Sequence, residues 1–92
     1  MQPTRFRLLP EGEWRHAEQV TLNQTLLELE AEETEGLRPG SALEVETAEF
    51  VYLGVVQVVS AKGLVLLVEH AVDLRRIADL ERIWGPSQSG PL

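Results

Sequence analysis

The sequence predicts an all-β domain with a terminal helix: a small five- to six-stranded antiparallel β-barrel capped by a C-terminal α-helix. Three observations carry this. Short segments alternate apolar and polar residues with period two, the signature of half-buried strands. Turn signals rich in Gly and Pro separate them. The one stretch with helical spacing of apolar residues, 73–84, comes after all the strands.

Residues 4–9 (TRFRLL) are the first strand, ended by Pro10-Glu11-Gly12, where Pro fixes φ and Gly relieves the steric limit on it. Residues 13–22 (EWRHAEQVTL) are polar and weakly alternating, as an exposed strand would be. Next, Thr25, Leu27 and Leu29 alternate with Leu26, Glu28 and Glu30, which gives one buried face. The acidic run 28–35 reads as a solvated strand end and loop, since it lacks the carboxylate spacing and central Gly of a calcium loop. Gly36-Leu37-Arg38-Pro39-Gly40 is the clearest loop.

After that loop, Leu43, Val45 and Thr47 alternate with Glu44 and Glu46 in a strand over 41–47. Residues 50–60 (FVYLGVVQVVS) are the richest β-branched run, and Gly54 within it marks a bulge or sharp bend. Ala61-Lys62-Gly63 turns the chain into a closing strand over 64–68. The two runs flanking this turn are apolar on both faces, so they form a central hairpin that something covers. The expected cover is the helix 73–84, with Leu74, Ile77, Leu80 and Trp84 on one side. Asp73 is its N-cap and Gly85-Pro86 its stop. The domain then runs from 4 to 85, and residues 86–92 (PSQSGPL) are a flexible tail.

Size and charge narrow the function. Ninety-two residues hold a single small core. The composition, 43% hydrophobic and 25% charged, is that of a folded domain. With no cysteine there is no disulfide and no thiolate metal site, which suits a cytoplasmic protein. The formal charge of −7 disfavours phosphate backbones and anionic lipid, so neither DNA binding nor membrane insertion is expected.

Catalysis needs a nucleophile with a base, or a metal. His16 stands in a polar segment without a nearby Asp or Cys, and His70 follows Glu69 on a strand, where neighbouring side chains point to opposite faces. No nucleophile elbow, phosphate-cradling Gly-rich loop or metal-ligand spacing occurs. A non-enzymatic protein without a metal or other cofactor is the expectation. Phe6 between Arg5 and Arg7 is the one place where an aromatic lies between two cations, an arrangement able to meet a base and a phosphate. The plainer reading is an edge strand with one core aromatic and two exposed charges.

The stretch from Arg5 to about Trp84 resembles the PilZ domain family, small β-barrels known as receptors of cyclic di-GMP. Asn23-Gln24-Thr25-Leu26-Leu27-Glu28 lies where that family has [D/N]-x-S-x-x-G. Leu37-Arg38-Pro39-Gly40 looks like its L-x-x-G turn, and the strands over 41–59 and 63–68 and the final helix follow in the family's order. The resemblance implies ligand contacts from Asn23 and Thr25, and a receptor reading would add Arg5 or Arg7, which do not match the spacing of the family's arginine motif. Two departures bear on this. Glu28 puts a carboxylate where the family has Gly, and the sequence holds no R-x-x-x-R, the family's phosphate and guanine grip.

Each charge-assisted hydrogen bond contributes about 1.5–3 kcal/mol, so two missing arginine anchors cost roughly 3–6 kcal/mol. That is about two to four decades of affinity. The expectation is therefore a PilZ-like signalling or adaptor domain acting by protein–protein contact, with weak or absent cyclic-di-GMP binding. The alternative is a cyclic-di-GMP receptor with a non-standard site. An acidic rim over 28–35 with Glu44 and Glu46, and an exposed sheet edge, are the surfaces expected to meet a protein partner.

Overall fold

A computed structural model of the chain describes residues 4–76. Seven strands form one antiparallel sheet: β1 (Arg5–Leu8), β2 (Arg15–His16), β3 (Gln19–Asn23), β4 (Leu26–Glu30), β5 (Ala42–Glu46), β6 (Phe50–Ser60) and β7 (Gly63–Asp73). Their order across the sheet is β2-β1-β5-β6-β7-β4-β3. The two outermost strands are consecutive in the chain, and only Ala17 and Glu18 lie between them. The Ala17 N–H donates to the carbonyl of Thr4 beside β1, while the Glu18 N–H donates to the carbonyl of Glu30 on β4. Two neighbouring amides thus tie opposite ends of the sheet, and the sheet curls into a half-barrel around the core.

The exposed strand expected over 13–22 is therefore two strands, and seven strands stand where five or six were expected. The reason is geometric. A chain crossing from one sheet edge to the other must break its pairing, and it does so at Ala17, whose methyl is small enough to be buried at the seam. Alternation holds elsewhere. Leu27 and Leu29 of β4, Leu43 and Val45 of β5, Phe6 of β1, Val56 of β6 and Leu66 of β7 are essentially inaccessible. Ala31 and Leu37 close the core from the loop that follows β4. Leu37, read from sequence only as part of a turn, is a core residue.

The β6–β7 hairpin is the spine of the sheet. Its register shifts twice, between Leu53 and Gly54 and between Val56 and Val58. The first leaves Glu69 of β7 unpaired and the second leaves Gln57 of β6 unpaired, so Gly54 does mark a bulge. At Gly54 and Gly63 a Cβ would run into the carbonyl oxygens of Leu67 and Leu29, so only glycine lets these strands approach. β7 extends to Asp73, five residues past the expected end at Val68, and His70 is an exposed mid-strand residue.

A helical turn begins at Leu74, where Asp73 Oδ1 accepts the Arg75 N–H at 2.9 Å, the N-cap contact the sequence suggested. The remainder of the expected helix over 73–84 and the tail 86–92 lie outside the described residues. No described helix is long and apolar enough to cross a membrane.

Candidate functional site

The alternation of β1 buries Phe6 and turns Arg5 and Arg7 outward. Register places Arg5 opposite Glu46 and Arg7 opposite Glu44 on β5. Arg5 Nε and Nη2 both reach Glu46 Oε1, at 2.9 and 2.8 Å, and Arg7 Nε donates to Glu44 Oε1 at 2.7 Å. Trp14, half-buried ahead of β2, lays its indole beneath both guanidinium groups, whose central carbons are 4.0 and 4.7 Å from the ring centroid. Each arginine therefore has a carboxylate and an aromatic partner within its own sheet, a cation–π arrangement that holds the indole in place.

Asn23 and Thr25, the other two residues expected to bind ligand, belong to the β3–β4 turn. Asn23 ends β3 opposite Leu26, Gln24 takes a left-handed φ of 59°, and the Thr25 carbonyl accepts the Val68 N–H at 2.8 Å. Both side chains are exposed. The structure brings Arg5 and Arg7 together and brings Asn23 and Thr25 together. Among the described residues, no hydrogen bond or ion pair joins the first pair to the second. Glu28, at the family's Gly position, sits on the outer face of β4 between Thr21 and Val65.

The segment carrying Trp14 also shapes a second feature. Arg15 Nη1 donates to the carbonyls of Glu35 at 2.8 Å and Glu33 at 3.3 Å, which holds the acidic loop against β2. Glu13, Trp14 and Arg15 then face Glu32, Glu33 and Glu35 across a cavity of about 440 Å³. A smaller one of about 70 Å³, lined by His16, Glu18, Glu32 and Glu33, shares two of those residues, so the two make one groove. Its five carboxylates take part in none of the ion pairs among the described residues. Arg15, the one cation in its wall, spends its hydrogen bonds on backbone carbonyls.

This divides the acidic rim expected from sequence. Among the described residues, Glu32, Glu33 and Glu35 line the groove without an ion-pair partner, whereas Glu44 and Glu46 are paired with Arg7 and Arg5 and drop out of it. Trp14 was legible in the sequence only as one aromatic among five. The signal that could have singled it out is Glu13-Trp14-Arg15, a tryptophan in a polar segment that offers no apolar neighbours to bury it. Among the described residues, no group of three or more His, Cys, Asp and Glu is placed to hold a metal ion. No family model, curated protein or solved structure matches the chain.

Proposed function

We propose that this protein is a non-enzymatic contact module, PilZ-like in architecture, that takes a basic segment of a partner protein into the groove between Trp14 and the acidic loop. The carrying observation is that Glu13, Glu32, Glu33 and Glu35, four carboxylates against the single cation Arg15, surround a half-buried indole with no ion pair of their own among the described residues. A groove with an excess of carboxylates concentrates oppositely charged groups, and an apolar edge in its wall suits the methylene stem of Arg or Lys. The dinucleotide-receptor reading draws less support, because both of the arginines it would use already have carboxylate partners.

The test is titration of the chain with a short Arg-rich peptide, followed by tryptophan fluorescence with Trp14→Phe as the control for the signal of Trp84. The expected result is a saturable change that weakens with added salt and is lost in Glu32→Lys/Glu33→Lys. Equal binding by that double variant would overturn the reading.

A further inference from the structure

β3 is the longer of the two outermost strands, and among the described residues it is hydrogen-bonded along its length to β4 alone. An antiparallel strand turns the N–H and C=O of every second residue away from its neighbour, so among the described residues β3 offers a row of unpaired backbone groups. Natural edges are blunted by charges, Pro or bulges. None of these interrupts β3, and from Gln19 through Leu27 the sequence has no charged residue, in a chain of net charge −7. Leu22 is 46% exposed although its register partner Leu27 is fully buried. Its far side is the side on which a further strand would lie.

We infer that β3 pairs with β3 of a second copy of this chain, antiparallel, with Thr21 on the two-fold axis. The polarity of the strand, Gln-Val-Thr-Leu-Asn, is the same read in either direction. That register sets Gln19 opposite Asn23, Val20 opposite Leu22 and Thr21 opposite itself, so apolar meets apolar twice and no like charges face each other. It covers both exposed Leu22 side chains. Because the chain carries a net charge of −7, an uncharged edge lets two copies meet with no like charges face to face. Five residues span roughly 17 Å, and such a contact falls below the ~1,200 Å² of a standard stable interface, so the dimer is weak and concentration-dependent. The inference uses the edge of β3 and does not rest on the acidic groove.

Sedimentation velocity across roughly 5–500 µM tests it, a range suited to an interface of this size. The wild-type chain is expected to shift from monomer towards dimer. Thr21→Glu and Thr21→Lys each place like charges face to face on the axis and remain monomeric, while their equimolar mixture recovers the dimer. Far-UV circular dichroism checks that both variants fold; if one does not, Leu22→Ser replaces it and is expected to be monomeric. A wild-type chain that stays monomeric, a dimer that Thr21→Glu leaves intact, or folded variants whose mixture stays monomeric would each overturn the inference.

Discussion

Arg7 and Glu44 stand directly opposite each other on β1 and β5, with Nε 2.7 Å from Oε1. A cross-strand pair of this kind is held by the register of the sheet, which costs little side-chain entropy beyond that of folding. Its partial exposure limits its net contribution to about 0.2–1 kcal/mol. The same pairing decides how available the guanidinium is. A phosphate reaching Arg7 would have to compete with Glu44, which already accepts the Nε–H, for the charge of the guanidinium.

Calorimetric titration with cyclic di-GMP at low salt, with GTP as control, is therefore expected to give no saturable heat up to high micromolar ligand. Arg7→Ala is expected to lower stability by about 1 kcal/mol rather than to remove a ligand. Micromolar binding that Arg7→Ala abolishes without a change in melting temperature would restore the receptor reading.

Trp14→Ala removes the ring under two guanidinium groups and one wall of the groove together. Two partly exposed cation–π contacts and the lost packing predict a destabilisation of about 1–3 kcal/mol. Urea unfolding followed by circular dichroism measures it. A loss comparable with that of an ordinary surface substitution, under about 0.5 kcal/mol, would mean that the indole holds nothing in place.

Gly63→Ala drives a Cβ into the Leu29 carbonyl, which belongs to the backbone of β4 and has no rotamer to relieve it. The expected result is loss of about 1–3 kcal/mol, with the β4–β7 pairing first to open. Hydrogen exchange of the β4 amides locates the damage. Wild-type protection at Leu27 and Leu29 in the variant would contradict this.

Tyr52 is the single tyrosine, and its phenol is held above the ordinary value of 10.0, first by burial and then by the negative charge of Glu49. Phenolate absorbance of the folded chain should therefore titrate above pH 10.0. The sign of the linkage follows from a raised folded-state pKa. The stabilising contribution is fully present below the unfolded value and is lost as pH rises through the folded one. Stability should thus be insensitive to Tyr52 near neutrality and fall on the alkaline side. A titration midpoint equal to that of the urea-unfolded chain would refute the assignment.

The strands were legible in the sequence wherever one face is buried against the core. Period-two alternation at Leu27 and Leu29 and at Leu43 and Val45 reproduces the buried positions of β4 and β5, and the bounds of β6 match the β-branched run. It failed at residues 13–22, where both faces are largely exposed and the break at Ala17 arises from contacts with Thr4 and Glu30, each more than ten residues away. It also stopped β7 too early. After Val68 the strand is held by pairing to β6 rather than by burial of its own side chains, and residues 69–72 are all exposed.

The candidate site divides in the same way. The sequence by itself determined an acidic, cysteine-free chain with an uncharged stretch from Gln19 through Leu27, because charge and composition are additive properties of residues. It also determined which side of each core-facing strand is apolar, because alternation is local. Only the tertiary structure decided which acids are paired with arginines. Glu44 and Glu46 read the same as Glu32 and Glu33 in sequence, yet strand register pairs the first two with arginines and the loop leaves the second two lining a groove. Pairing across 37 and 41 residues of chain depends on how the sheet closes, and no short-range pattern in the sequence encodes that closure.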